Sequence, residues 1–186
     1  MNVIDAPVTQ WLMEYMGIEF TTQTNTDLRP TQTVDTIAAL EWEPKQLSTT
    51  WGIKPTWSKK LLINAQAETV SMKPTFKKTF ETQRCIVPCT GWYEWRSEGG
   101  QKKQKYSFTH VDGIPFLMAG IWFGDPTEAK LVTLTTNPAA RCAEIHSRTP
   151  LLVDPDDVAL WLNGPVSDLG ALLAANGEDT IVISRS

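Results

Sequence analysis

The chain has 186 residues, 41% of them hydrophobic, which suits one compact domain across residues 1–186 with a sizeable core. No apolar run approaches the roughly 20 residues that a membrane-spanning helix needs, and the first residues lack a basic or apolar signal region, so a cytoplasmic protein without membrane contact is expected. The net charge of -4 disfavours a polyanionic partner on average, and three cysteines are too few and odd in number for a disulfide framework, so reduced thiols are expected.

Pro7 to Gly17 carries Val8, Trp11, Leu12, Tyr15 and Met16 at helical spacing and ends on a glycine suited to a left-handed cap. Thr33 to Trp42, Leu47 to Ile53 and Leu61 to Asn64 read as strands. Lys73 to Gln83 reads as a short helix with Phe76 and Phe80 turned inward. Strands resume at Cys85-Ile86-Val87 and Trp92 to Arg96. Asp112-Gly113, between Lys105 to Val111 and Pro115 to Phe123, predicts a hairpin, and Lys130 to Thr135 a further strand. Asp154 is a candidate N-cap followed by Pro155, opening a helix with Val158, Leu160, Trp161 and Leu162, and Thr180 to Ser184 is expected to close the sheet. The predicted fold class is α+β: a single domain with a curved, mostly antiparallel β-sheet or barrel and peripheral helices.

The average charge hides an asymmetry. Between Lys54 and Lys105 there are eleven basic and four acidic residues, a net of +7, while the remainder carries -11. This pattern fits a basic face on an acidic body, or equally lysines scattered over several faces. Lys102-Lys103 beside Gly99-Gly100 reads as an exposed hairpin tip.

Gly91-Trp92-Tyr93-Glu94-Trp95 sets one carboxylate among aromatic residues. Ile63-Asn64-Ala65 and Ile145-His146-Ser147-Arg148-Thr149-Pro150 supply an amide and an imidazole, which together are raw material for an acid/base site. Taken singly, Glu94 also fits a cross-strand hydrogen-bond partner and His146 a core or surface histidine. With only His110 and His146, and no second ligand pair beside Cys85-x-x-x-Cys89, neither metal nor cofactor is predicted.

These segments, with Leu28-Arg29-Pro30-Thr31-Gln32, Trp51-Gly52-Ile53-Lys54-Pro55-Thr56-Trp57, Asn64 to Thr69 and Arg84 to Pro88, resemble in order the SOS-response-associated peptidase (SRAP) family. Its members bind and crosslink to abasic sites in single-stranded DNA. In that family an N-terminal cysteine, exposed on loss of the initiator methionine, forms an imine with the ring-opened sugar and closes a thiazolidine through its thiol. The resemblance implies a catalytic set of Asn64, Glu94 and His146: Glu94 exchanging protons, His146 assisting and holding the sugar, Asn64 fixing the N-terminal residue or the sugar. It also implies DNA contacts from Trp51, Trp57, Gln66, Lys73 and Arg148, in a protein expected to act as a monomer. Trp51 and Trp57 would stack on unpaired bases.

The sequence departs from the family pattern at three places. Where the family begins Met-Cys-Gly-Arg, this chain begins Met1-Asn2-Val3-Ile4-Asp5, and a start upstream of Met1 is the expectation. Gln66 replaces an arginine that holds a phosphate, and Asp27 an asparagine before the Pro-Thr-Gln turn. Two functions follow from the resemblance, an abasic-site crosslinker or a cysteine peptidase acting on its own propeptide; a start at Met1 itself would instead leave a non-covalent binder of single-stranded DNA or another polar polymer.

Overall fold

The computed structural model describes residues 1–174 and 178–186. Helix α1 (Asp5–Met16) buries only Val8 and Leu12, four residues apart on one stripe. Gly17, at φ 66°, ends it in the left-handed conformation with its N–H turned back on the Leu12 and Met13 carbonyls. Trp11 and Tyr15 stack on each other at 5.0 Å between ring centroids, and Tyr15 faces solvent rather than the core.

The larger sheet contains β1 (Thr33–Leu40), β2 (Glu43–Trp51), β3 (Asn64–Gln66), β4 (Arg84–Cys89), β7 (Phe116–Phe123) and β8 (Lys130–Thr136). They run in the order β2-β1-β4-β7-β8-β3, with β9 (Thr149–Pro150) also on β8. Every residue of β4 and all but the last of β7 are buried, as central strands covered on both faces require. Parallel pairs Thr50–Lys130 and Trp51–Leu131 join β2 to β8 as well, so the sheet curls back on itself; it is a strongly curved sheet and not a closed barrel.

A three-stranded antiparallel sheet, β10-β6-β5, is built from β5 (Gly91–Arg96), β6 (Gln104–His110) and β10 (Ile181–Arg185). Helix α2 (Pro74–Thr82) buries Phe76 and Phe80, α3 (Ala140–Ala143) buries Cys142, and α4 (Val158–Asn163) buries Val158, Trp161 and Leu162. Asp154 accepts the Asp156 N–H, and Pro155 opens the turn that leads into α4. Among the described residues, no helix is long and apolar enough to cross a membrane.

Several expectations are corrected. The strand from Thr33 stops at Leu40, because Glu41 and Trp42, at φ 57° and 71°, form the turn into β2. The strand expected at Leu61 to Asn64 begins only at Asn64, with Leu62 held by a lone bridge to Ile53. Gly113 does turn the chain at φ 70°, yet β6 and β7 do not pair. The fully apolar β7 fits only inside the larger sheet, whereas half-buried β6 pairs with β5 and β10. The last strand therefore edges the small sheet. Arg84, one of the eleven basic residues, points into the core at 4% exposure.

Candidate active site

The alternation of β3 buries Ala65 and leaves Asn64 and Gln66 on its open face. The parallel register sets Asn64 beside Thr133 of β8, whose hydroxyl donates to Asn64 Oδ1 at 2.6 Å. That bond orients the amide and leaves its NH2 as the donor available to the site.

Glu94 comes from β5. Gly91 starts that strand where a Cβ would lie 2.2 Å from the Phe108 carbonyl oxygen, so no side chain fits there. Trp92, two residues before Glu94 on the same strand face, is buried in a stack with Phe108 at 4.9 Å and edge-on to Phe116. This rigid aromatic floor fixes the carboxylate above it. Burial pushes the Glu94 carboxyl above its ordinary value, with His146 and the N-terminal ammonium pulling the other way. Tyr93 carries the Lys105 ammonium 3.6 Å from its ring centroid.

His146 follows α3, its N–H bonded to the Cys142 carbonyl. Nδ1 lies 3.2 Å from the Arg148 N–H and 3.0 Å from the Arg148 carbonyl oxygen, so a neutral ring can accept there and a protonated ring can donate. In both states Nε2 faces Glu94, 3.8 Å from Oε2. Arg148 is held by Glu68 in a two-pronged contact of 3.0 and 2.8 Å, and donates to Asn137 Oδ1 and the Thr135 carbonyl. The Arg148 guanidinium beside Glu68 holds that carboxyl below its ordinary range.

Asn64, Glu94, His146, Trp51 and Arg148 line one cleft of about 130 Å3, together with Met1, Tyr93 and Thr133. Trp51 spends its indole N–H on the Ile63 carbonyl at 3.1 Å, and the Pro30-Thr31-Gln32 turn is bonded to its backbone. Trp57, Gln66 and Lys73 lie outside the cleft in an adjoining groove of about 480 Å3, and Asn64 borders both spaces. Trp57 is 68% exposed. Among the described residues, no three His, Cys, Asp or Glu side chains cluster to share a metal ion.

Five contributors lie outside the set of site residues expected from the sequence. Met1 lines this cleft, and its α-ammonium donates to the Leu28 carbonyl at 3.1 Å; burial lowers its pKa, against the raising influence of Asp27 and Glu94. Asn2 bridges to Gly91, which pins the first residues beside β5. Thr133, Glu68 and Lys105 are the others. Glu68 falls inside the Asn64 to Thr69 segment, so its motif was a usable signal; Thr133 and Lys105 gave none. The three thiols are buried, and burial pushes Cys89 up to about 12 and Cys85 higher still, which leaves these two inert.

Fold and cleft together define a class: curved-sheet α+β proteins that gather an amide, a carboxylate and an imidazole in one pocket. The chain belongs to the SOS response associated peptidase (SRAP) family, whose profile spans residues 8–184. It is 35% identical over 134 residues to "Abasic site processing protein YedK" of Escherichia coli (strain K12), covering 68% of this chain and 60% of that protein. It is 32% identical over 128 residues to "Abasic site processing protein YoqW" of Bacillus subtilis (strain 168), covering 63% and 57%. The chain thus matches about three fifths of the length of these relatives. The crystal structure of a Bordetella bronchiseptica protein superposes with a TM-score of 0.83 at 22% identity, covering all of this chain and 97% of the other, a likeness of fold.

Proposed function

We propose that the cleft receives an abasic deoxyribose in single-stranded DNA and performs acid/base chemistry on its aldehyde. The observation that carries this reading is an amide, a carboxyl of raised pKa and an imidazole in one small cleft that Met1 also lines. An amine whose proton is loosened by burial is a better nucleophile near neutral pH. The amine nitrogen attacks the aldehyde carbon, a proton reaches the carbonyl oxygen, and water departs to leave an imine. Protonated Glu94 is suited to deliver that proton, and His146 to exchange protons as the sugar ring opens. The Asn64 NH2 is placed to hold a sugar oxygen.

The names of the relatives support this substrate, and the exposed Trp57 ring and the Lys73 cation along the adjoining groove support a single strand lying across Trp57, Gln66 and Lys73. In a form whose first residue is cysteine, the thiol would add to the imine carbon and close a thiazolidine, an intramolecular step favoured by high effective molarity. The chain numbered here offers a thioether at that place, so its adduct would remain a reversible imine.

The test is incubation with single-stranded DNA carrying one abasic site, with and without borohydride, followed by intact mass. The numbered chain should give adduct only under borohydride, and a form beginning Cys-Gly-Arg before Asn2 should give it without reductant. Glu94→Gln and His146→Ala should slow both. Binding no tighter to abasic than to intact strands, with no trapped adduct in either form, would remove this reading.

A further inference from the structure

We propose that a second face, built by the end of α1, the β1–β2 turn and α4, docks a partner protein through a short segment that carries an apolar anchor flanked by Lys or Arg. The turn between Leu40 and Glu43 has positive φ at both Glu41 (57°) and Trp42 (71°). This geometry is ordinarily met by Asn-Gly, and each bulky residue held in the left-handed region strains the backbone. The strain aims an indole into solvent at 84% exposure, the most exposed large apolar side chain in the chain's described residues. A solvent-facing tryptophan kept on a strained turn has the character of an interface anchor.

Two residues along from Trp42, Pro44 lines an open groove of about 270 Å3 walled by Tyr15, Met16, Ile18, Val158 and Leu162. This groove shares no lining residue with the active-site cleft. Its surroundings are acidic: Asp156 lines it, Asp154 and Asp157 flank Asp156, Glu14 and Glu19 flank the end of α1, and Glu41 and Glu43 flank Trp42. The one cation on the same hairpin, Lys45, is already paired with Glu41 at 3.0 Å and Glu43 at 3.5 Å.

The charge decides the occupant. A nucleic-acid backbone would be repelled by this rim, and a second copy docking through the same face would bring two acidic rims together. A basic segment with an apolar anchor satisfies both the groove and the rim. The assignment does not depend on what the active-site cleft binds.

The test uses the full chain and a fluorescein-labelled 14-residue amphipathic peptide of leucine and lysine, beside the same peptide with glutamate in place of lysine. Anisotropy should show binding of the lysine peptide alone, and amide spectra should shift at Trp42, Ala159 and Asn163. Trp42→Gly, which suits the turn's φ and so keeps the fold, should weaken binding about tenfold. Asp156→Lys with Asp157→Lys should weaken it comparably, while DNA binding stays unchanged in all variants. Equal binding by Trp42→Gly, equal binding of the glutamate peptide, or shifts confined to another face would overturn the proposal. So would a Trp42-dependent dimer in sedimentation, which would make the occupant a second copy.

Discussion

His146 Nε2 stands 3.8 Å from Glu94 Oε2, too far for a hydrogen bond and near enough for each charge to feel the other. The separation follows from the loop, because the Arg148 backbone holds Nδ1 and fixes how far the ring reaches toward β5. The gap leaves each group able to move a proton to a third party instead of exchanging it with its neighbour.

Glu94 is held in a place that costs stability. Burial raises its pKa from the ordinary value of 4.5, so the folded chain holds that proton more tightly than the unfolded chain. The stabilisation is then fully present below 4.5 and is lost as pH rises through the folded value. Glu94→Gln should therefore melt higher than the parent at neutral pH and level with it near about pH 4, where both carry no charge there. Thermal melts across this range check it; a variant melting lower at neutral pH would show that the carboxylate is a net stabiliser.

Thr133 sets Asn64 through its hydroxyl. Thr133→Val keeps the shape and removes the donor to Oδ1, for an expected cost of about 1 kcal/mol in denaturant unfolding. Borohydride-trapped adduct should form at a rate close to that of Asn64→Ala, because the amide is free to flip. A rate equal to the parent's would mean that the amide is oriented by other contacts.

How far the sequence was readable depends on whether a feature is local. The inward Phe76 and Phe80 of α2, the Gly17 cap and the Asp154-Pro155 start all lie within a few residues of what determines them. The SRAP motifs pointed to Asn64, Glu94 and His146, residues that the fold gathers in one cleft. What holds them was hidden: the Thr133–Asn64 bond spans 69 positions and the Arg148–Glu68 contact spans 80. Asp112-Gly113 misled for a related reason, since a tight turn fixes the direction of the chain but not which sheet receives the next strand.

Glu68 acts on His146 through Arg148. Its carboxyl, held low by the guanidinium, contributes stability above the ordinary value of 4.5 that is lost as pH falls through the folded value, the opposite sign to Glu94. Because Glu68 is partly exposed, Glu68→Gln should cost no more than about 1 kcal/mol. Adduct formation should fall about tenfold as the loop carrying His146 loosens. Unfolding and trapping measured on the same variant separate the two effects, and an unchanged rate would reduce the contact to a surface pair.

Arg84 joins two helix ends. Its guanidinium bonds the Phe80 and Glu81 carbonyls at the end of α2 and the Trp161, Leu162 and Gly164 carbonyls at the end of α4, with no carboxylate partner among the described residues. Arg84→Met leaves those oxygens without a donor in a buried place and should cost about 3–5 kcal/mol, a fall of roughly 10 °C in melting temperature. Arg84→Lys should recover only part, since one ammonium cannot serve both ends. A loss under about 1 kcal/mol would mean that water takes over the carbonyls.

The groove beside the cleft should bind the strand and leave the chemistry alone. Trp57 offers an exposed ring there, and Lys73, next to Pro74 at the start of α2, a cation, while Gln66 between them is neutral. Stacking of one base on Trp57 is worth about 1–3 kcal/mol, so Trp57→Ala should weaken binding about tenfold or more at every salt concentration. Lys73→Gln should instead lower the dependence of log Kd on log salt by about 0.7, the value of one phosphate contact to a single strand. Gln66→Arg should raise it by the same amount and tighten binding. Trapped-adduct rates at saturating DNA should stay at the parent's level in all three, because none of these residues lines the cleft with Glu94 and His146. Salt titrations with a fluorescent strand, run beside single-turnover trapping, provide both readouts. A salt slope unmoved by both Lys73→Gln and Gln66→Arg would place the strand on a different path.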